Sequence, residues 1–279
     1  MMQRSWIDTH HHLWKYNDTD YAWMSTRMTM LRRDFLTPDL EAVTVPCGVV
    51  ATVAVQARQQ STETHFLLDA ARQSQLIKGV VGWAPLIAPD IEKYLDRYAH
   101  DPFLKGVRHV LHDEPDPFYM LRDDFNHGIS KLGPHNLSYD LLIFAQQLPQ
   151  TISFVDRHPN QVFILDHIAK PQIANGEIAE WATHMRVLAR RKNVFCKISG
   201  IATEANWNAW SPEQLRPYLD VVLSAFGPSR LLFGSDWPVL TLAGSYEGWL
   251  RAIANWIEEL SEDEADEIRQ GTARNVYRL

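Results

Sequence analysis

The stretch Trp6-Ile7-Asp8-Thr9-His10-His11-His12, near the start of the chain, is a short apolar run that ends in three histidines. In a β-strand alternate side chains share a face, so His10 and His12 point to one side and His11 to the other. Two imidazoles on one face, at the carboxyl end of a strand, supply half of a divalent metal site. A histidine pair of this kind also occurs by chance, so its meaning depends on where the other histidines and acids fall.

Apolar runs rich in β-branched residues alternate with amphipathic stretches along the whole chain of 279 residues. Several of the apolar runs are hydrophobic throughout, which is typical of parallel strands covered on both faces. The predicted strands are residues 5–10, 48–56, 79–83, 106–111, 140–144, 162–167, 194–199 and 231–236. The predicted helices are residues 62–74, 91–98, 148–157, 178–190, 215–226, 248–260 and 261–277.

Eight strand–helix alternations in a chain of this length predict one α/β domain over residues 1–279, a (β/α)8 TIM barrel. An open doubly wound sheet is the structural alternative. It normally carries a glycine-rich phosphate loop after its first strand, where this chain has histidines instead. Two long segments, residues 16–38 and 112–136, would follow barrel strands at the carboxyl face, where we expect them to cover a pocket.

Composition narrows the range of partners and compartments. The net charge is −7 and no basic cluster stands out, which argues against nucleic acid as a partner. The longest apolar stretch, residues 45–55, is too short to span a bilayer, and the N-terminus lacks the pattern of a signal sequence, so we expect no membrane association. Cys47 and Cys196 lie in apolar runs and are expected to be buried free thiols of a cytoplasmic protein. The sequence is compatible with a monomer and with a homo-oligomer.

Polar and ionisable residues follow nearly every predicted strand, and in a barrel the chemistry gathers at the carboxyl ends of the strands. Among them, His10, His12, His167 and Asp236 offer nitrogen and oxygen ligands of the kind that zinc accepts. Taken singly, His167 could be a core histidine and Asp236 a helix cap. Their coincidence with the histidine pair predicts a joint site for one divalent ion.

Several motifs together resemble the amidohydrolase superfamily, and within it the branch of sugar-acid and related lactonases. They include Val80-Val81-Gly82-Trp83, Lys105-Gly106-Val107-Arg108-His109, Leu165-Asp166-His167-Ile168-Ala169-Lys170-Pro171, Cys196-Lys197-Ile198-Ser199-Gly200 and Phe233-Gly234-Ser235-Asp236-Trp237-Pro238. Further likeness comes from Asp113-Glu114-Pro115-Asp116 and Thr203-Glu204-Ala205-Asn206-Trp207. The resemblance implies a barrel that hydrolyses a sugar lactone to its acid.

The resemblance also shapes the expected metal content. Binuclear superfamily members carry a bridging carbamylated lysine near the fourth or fifth strand, and neither predicted strand ends in lysine here. We therefore expect one metal ion, most simply Zn²⁺, and some lactonases of this branch look able to work without any metal.

The expected roles follow from this reading. Asp236 would take a proton from the attacking water, while Arg108, His109 or His112 would stabilise the charge on the carbonyl oxygen, with His167 beside them. The remaining candidates combine donors, acceptors and aromatic faces suited to a polyhydroxylated ring. The predicted substrate-binding residues are Gln56, Arg58, Trp83, His112, Tyr139, Lys170 and Trp207.

Two other functions remain alternatives at this point. One is a pyrone or muconolactone hydrolase, or a metal-dependent decarboxylase, acting on intermediates of aromatic degradation. Such substrates bear several carboxylates and would require more arginines at the strand ends than Arg58 and Arg108. The other is a barrel that binds a sugar or stores a metal without catalysis, against which the position of Asp236 argues.

Overall fold

A computed structural model describes residues 4–98 and 100–279. In these residues eight parallel strands form one sheet in sequential order, and helices lie between them. The strands are β1 (Trp6–His11), β2 (Val49–Val55), β3 (Ile77–Gly82), β4 (Leu104–Val110), β5 (Ser138–Leu142), β6 (Phe163–Leu165), β7 (Val194–Ile198) and β8 (Leu231–Phe233).

The sheet closes where the end of β1 meets the segment after β8. The backbone amide of His12 donates to the carbonyl of Trp237 over 2.7 Å, and the amide of Asp236 donates to the carbonyl of His10 over the same distance. The predicted (β/α)8 barrel is thereby confirmed. Strands β6 and β8 end earlier than predicted, at Leu165 and Phe233, because the chain then turns out of the sheet.

The helices cover the outside of the barrel. They are α1 (Thr37–Thr44), α2 (Ser61–Gln73), α3 (Ile91–Asp96), α4 (Asp123–Ser130), α5 (Leu148–Asp156), α6 (Ala179–Leu188), α7 (Pro212–Phe226), α8 (Tyr246–Ile257), α9 (Glu262–Asp266) and α10 (Thr272–Tyr277). Two of them, α1 and α4, were not predicted. The single terminal helix that the sequence predicts is divided by a π-helical turn at Glu267–Gly271. No helix in the described part of the chain is long and apolar enough to cross a membrane.

The inside of the barrel has an apolar lower half and a charged upper half. In the lower half, Ile7, Val53, Ile164 and Leu232 pack with Tyr277 of α10, which covers the amino-terminal end of the strands. Above them, inward positions of β4, β5 and β7 and the residue after β6 carry charges. These residues are Arg108, Asp140, Asp166 and Lys197. The charged layer is the floor on which the carboxyl-end residues rest.

Candidate active site

Four side chains meet at the carboxyl end of the barrel. His10 belongs to β1 and His12 follows it directly, His167 follows β6, and Asp236 follows β8. Oδ1 of Asp236 lies 3.7 Å from Nε2 of His10, 3.3 Å from Nε2 of His12 and 3.9 Å from Nε2 of His167. All four side chains are buried. The structure therefore brings together the four residues that the sequence predicts as metal ligands.

Unusual backbone conformations aim two of these side chains. His167 has a φ of 53° and Asp236 a φ of 61°, values that non-glycine residues adopt rarely and often at functional sites. Gly200, in the loop after β7, makes room for the imidazole, because a Cβ at this position would lie 2.5 Å from Nδ1 of His167. The glycine is thus required by the position of the histidine.

The hydrogen bonds of the imidazoles orient their Nε2 atoms toward Asp236. Nδ1 of His12 lies 2.8 Å from the carbonyl oxygen of Val55, and because a carbonyl only accepts, this nitrogen carries the proton. When the ring carries this proton alone, its Nε2 holds a lone pair. Nδ1 of His167 lies 2.9 Å from the hydroxyl of Ser199, which can either donate or accept. Both rings are held from behind, as metal-ligating histidines usually are.

Burial and mutual attraction set the charges of the cluster. Burial lowers the pKa of His167 to about 4, and it lowers the pKa of His10 well below the ordinary histidine value. Burial alone would raise the pKa of Asp236. The neighbouring imidazoles of His167, His12 and His10 outweigh that effect, so the pKa of Asp236 lies below its ordinary value. Near pH 7 the cluster holds an ionised carboxylate beside neutral His10 and His167.

This donor set fits one divalent ion. Two groups of three side chains each offer three ligand atoms that lie within 4.8 Å of one another. One group is His10, His12 and Asp236, and the other is His10, Asp166 and His167. Nitrogen and carboxylate oxygen are ligands that zinc accepts. However, Nη1 of Arg108 lies 3.3 Å from Nε2 of His10, and a guanidinium can only donate. Arg108 thus competes for the lone pair of His10 and adds a positive charge that a second ion would have to face.

A network of buried charges supports the cluster from below. Nζ of Lys197, which is fully buried, lies 2.5 Å from Oδ2 of Asp140 and 3.1 Å from Oδ1 of Asp166. Arg108 donates to Oδ2 of Asp166 over 2.9 Å, and the hydroxyl of Tyr277 donates to Asp140 over 2.9 Å. Two carboxylates and two cations balance one another here, as buried charges require.

The network is joined to the carboxyl-end cluster through His10. Its Nδ1 lies 3.2 Å from Oδ1 of Asp166 and 3.3 Å from Nζ of Lys197, while its Nε2 faces Asp236. We infer that Lys197 acts as a positioning residue of this inner network. No sequence pattern indicates a role for Asp140 or Tyr277, because Asp140 pairs with Lys197, 57 residues away, and Tyr277 donates to Asp140, 137 residues away.

A pocket of about 340 Å³ opens above the cluster. Its polar wall includes predicted residues from four strand ends, namely His12, Arg108, His112, His167, Lys170 and Asp236. Its apolar wall includes Trp14, Trp23, Met28, Leu142, Phe144, Trp207, Val239 and Leu242. Trp23 and Met28 come from the segment 16–38, so part of that long segment does border the pocket, as predicted.

Two predicted residues face away from the pocket because of strand alternation. His109 follows inward-facing Arg108 on β4, so its ring points outward, where it stacks on Tyr119 and pairs with Glu114 over 2.6 Å. Tyr139 precedes inward-facing Asp140 on β5, and its ring packs in an aromatic cluster between the sheet and the helices. We therefore drop the catalytic role for His109 and the substrate-binding role for Tyr139.

Three further substrate-binding candidates lie beside the pocket and do not line it. Arg58 is engaged by Asp20 and Glu63, each over 2.8 Å, and so ties the segment 16–38 to α2. The backbone carbonyl of Gln56 accepts from Nη2 of Arg108 over 2.5 Å, which orients the guanidinium. Trp83 is half-buried, and its carbonyl accepts from the hydroxyl of Thr64. These residues are corrected from direct contacts to supports.

The sequence reading missed pocket residues that lie in loops. Thr203 and Glu204 line the pocket in the short turn after β7, Asp113 lines it after β4, and Trp14 follows the histidine run. The motif that contains Thr203, Glu204 and Trp207 contributes to the family resemblance, but the sequence predicts a role only for Trp207. No periodic pattern marks which loop residues turn inward.

Comparison with known proteins agrees with this geometry. Residues 7–279 match the model of a family described as amidohydrolase. The chain is 38% identical to an L-fucono-1,5-lactonase of Burkholderia multivorans, over 98% of this chain and 96% of the relative. It is 35% identical to an L-fucono-1,5-lactonase of Burkholderia ambifaria, over 98% of this chain and 95% of the relative.

Solved structures show the same likeness. A crystal structure of an amidohydrolase from Burkholderia multivorans with bound zinc superimposes with a TM-score of 0.95 and 38% identity, covering 99% of this chain and all of that one. A putative 2-pyrone-4,6-dicarboxylic acid hydrolase from Pseudomonas putida superimposes with a TM-score of 0.77 at 20% identity, covering 98% and 97% of the two chains. At that identity the second likeness concerns the fold alone.

Proposed function

The chain belongs to the amidohydrolase family, and from this premise we propose that it hydrolyses a sugar 1,5-lactone of the L-fuconolactone type to the corresponding sugar acid. Two relatives named L-fucono-1,5-lactonase, similar over nearly the full length, support the substrate class. The observation that carries the proposal is the convergence of His10, His12 and His167 on one oxygen of Asp236 in the floor of the pocket. The reaction belongs to L-fucose catabolism, after a step that oxidises the sugar to its lactone.

Asp236 is the general base of the proposed reaction. Its carboxylate is ionised and lines the pocket, so it can accept a proton from a water that attacks the lactone carbonyl carbon. The bond between that carbon and the ring oxygen then breaks, and Asp236 returns the proton to the departing oxygen. The oxygen of the water thus becomes one oxygen of the new carboxyl group. One of its protons ends on the former ring oxygen, which becomes a hydroxyl group of the opened sugar.

Arg108 is the donor that we assign to the developing negative charge on the carbonyl oxygen. It lines the pocket, Gln56 and Asp166 fix its guanidinium, and its Nε–H has no hydrogen-bond partner among the described residues. A fixed cation aimed at developing charge lowers a barrier by roughly 3 kcal/mol. The pocket residue His112 stacks on Phe144 at 4.6 Å and is the second candidate for this role.

One zinc ion held by His10, His12 and Asp236 would polarise a lactone carbonyl and make a bound water more acidic. The chain's own residues would orient it, since Val55 fixes His12 and Asp8 accepts from the backbone of His10. The ionised base and the fixed Arg108 are present with or without the ion. We therefore propose a metal site that is dispensable for the hydrolysis of some lactones.

We also propose a cytoplasmic location. Cys47 and Cys196 are both free thiols, and Cys196 is buried on β7. Unpaired cysteines are typical of proteins from reducing compartments.

A panel of lactones tests the function. Initial rates are measured with a pH indicator on sugar 1,5-lactones, sugar 1,4-lactones and a pyrone dicarboxylate, on protein as purified, after chelation, and after zinc is restored. We expect kcat/KM of at least about 10⁴ M⁻¹s⁻¹ on a sugar lactone. Hydrolysis of the pyrone alone would indicate the aromatic-degradation alternative, and tight binding of sugars without turnover would indicate a non-catalytic barrel. A rate that chelation abolishes and zinc restores would make the metal essential.

A further inference from the structure

An ion pair that the proposed reaction does not use stands in the wall of the pocket. Nζ of Lys170 lies 2.9 Å from Oε1 of Glu204, and both residues line the pocket. Their side chains are 17% and 20% exposed, so they are partly desolvated and still within reach of a bound ligand. Lys170 follows β6, and Glu204 lies in the turn after β7, so two neighbouring loops meet in this pair.

The backbone around the pair fixes its position relative to the catalytic cluster. The indole N–H of Trp207 donates to the carbonyl of Thr203 over 2.9 Å, and the hydroxyl of Thr203 donates to the carbonyl of Gly200 over 2.8 Å. Gly200 in turn packs directly against the ring of His167. Glu204 is therefore anchored through its own loop to a member of the cluster, and its carboxylate stands at a set place in the pocket wall.

The charges that line the pocket leave no free cation for a substrate carboxylate. Of the described residues that line it, only Arg108 and Lys170 carry a basic group other than imidazole, and each already holds a carboxylate, Asp166 in one case and Glu204 in the other, both over 2.9 Å. Burial lowers the pKa of His112 to about 3, so this pocket histidine is neutral near pH 7. The single free Nε–H of Arg108 is assigned to the lactone carbonyl oxygen, so a further carboxylate on a substrate would have to break an ion pair in order to be neutralised.

We propose that the Lys170–Glu204 pair forms hydrogen bonds with the hydroxyl groups of a neutral polyhydroxylated lactone and disfavours the binding of lactones that carry a carboxylate. This inference rests on the proposed lactonase function and names the chemical class that its site selects. The free lone pairs of the Glu204 carboxylate accept from ring hydroxyls, while the ammonium group of Lys170 donates to hydroxyl oxygens. Because the two charges cancel, a neutral ring meets polar partners without a net field.

The same pair has a consequence for product release. Hydrolysis converts a neutral ring into an anion, and that anion lies in a pocket where Asp236 and Glu204 are both ionisable acids. With Lys170 already paired, the new carboxylate meets only the single Nε–H of Arg108, whose charge Asp166 already balances, so the acid is bound more weakly than the lactone. The pair thereby favours the substrate over the product.

Two substitutions of opposite charge effect test the proposal. E204Q removes the negative charge beside Lys170 and leaves the positive charge of Lys170 unbalanced. K170M instead leaves the negative charge of Glu204 unbalanced. The matched control is E180Q, on the exposed first turn of α6. Calorimetry measures the Kd of the sugar acid for each protein, and kinetics give kcat/KM for the sugar lactone relative to δ-valerolactone, a six-membered lactone without hydroxyl groups.

We expect E204Q to lower that kcat/KM ratio by about 10-fold or more, the range for loss of a hydrogen bond to a charged group. E204Q should bind the sugar acid more tightly than the native protein, and K170M more weakly. A change in the ratio of less than about threefold, or shifts of Kd in the same direction for both variants, would overturn the proposal.

The two arms separate this inference from the function on which it rests. If the native protein hydrolyses no lactone, the proposed function fails, while the Kd values for the sugar acid still report on the charge of the pocket. If the native protein is an active lactonase and E204Q leaves the substrate ratio unchanged, only the role of the pair is refuted.

Discussion

Substitution of the buried Lys197 by methionine is the change that probes the inner charge network most sharply. The native ammonium group is completely buried between Asp140 and Asp166, at 2.5 and 3.1 Å. Methionine has a similar length and no charge, so K197M leaves the volume nearly filled and removes only the cation. Both carboxylates then remain in the barrel interior with one positive neighbour fewer.

The expected loss in free energy of unfolding follows from what each acid retains. Removing one partner of a buried ion pair typically costs about 3–5 kcal/mol. Asp140 keeps the hydroxyl of Tyr277, and Asp166 keeps the guanidinium of Arg108, each over 2.9 Å. We therefore expect the lower end of that range, about 3 kcal/mol, which is a large part of the 5–15 kcal/mol by which domains are usually stable.

Urea unfolding followed by far-ultraviolet circular dichroism measures the effect. With a slope of about 1–3 kcal/mol per molar urea, the midpoint of K197M should fall by about 1 M or more. The control K192M removes an exposed lysine five residues earlier and should stay within about 0.5 kcal/mol of the native protein. Addition of D140N to K197M should recover part of the loss. A midpoint for K197M equal to that of K192M would refute the reasoning.

Three further outcomes are expected. R58A should raise KM for the sugar lactone about fivefold with kcat nearly kept, because Arg58 holds the segment that carries pocket residue Trp23, and an unchanged KM would contradict this support role. Since burial lowers the pKa of His167 to about 4 and that of His10 below its ordinary value, both stay neutral until the pH falls toward those values. The NMR signals of the imidazole C–H groups of His10 and His167 should therefore stay unchanged from about pH 8 to pH 5.5, whereas a transition of either signal near pH 6.5 would show that this histidine titrates normally. H109Q should keep kcat within about twofold, since the ring faces away from the pocket, and a hundredfold loss would restore His109 to the site.

The barrel and the cluster could be predicted because both follow from local patterns. Hydrophobic runs predict the strands, and polar residues directly after the runs mark their carboxyl ends. This pattern alone is enough to predict His10, His12, His167 and Asp236 as site residues. A parallel barrel places the carboxyl ends of all its strands at one face, so it brings the ends of β1, β6 and β8 together whatever their separation in the chain.

Strand alternation explains the errors within the site. Arg108 and His109 are adjacent on β4, and only one of two neighbours on a strand can face the interior. The same parity sends Tyr139 outward and Asp140 inward on β5. The two-residue period of a strand places Asp140, and not Tyr139, on the inward face. A buried acid is nevertheless difficult to predict from sequence when its partner, here Lys197, lies fifty-seven residues away.

Contacts between loop residues could not be predicted, for a different reason. Neither the pairing of Arg58 with Asp20 nor that of Lys170 with Glu204 leaves a periodic trace, since each joins two loops whose approach depends on the closed barrel. Loops carry much of the specificity of barrel enzymes, so a sequence of this kind reveals the reaction class before the substrate.

The most direct test of the central claim is the turnover of D236N on a sugar 1,5-lactone, compared with that of the native protein under the same conditions. The amide keeps the shape of the side chain and removes its ability to accept a proton from water. We predict that kcat falls by about 10³-fold, within the range for loss of a general base, while circular dichroism shows an unchanged fold. A folded D236N protein that turns over within a few fold of the native rate would contradict the account.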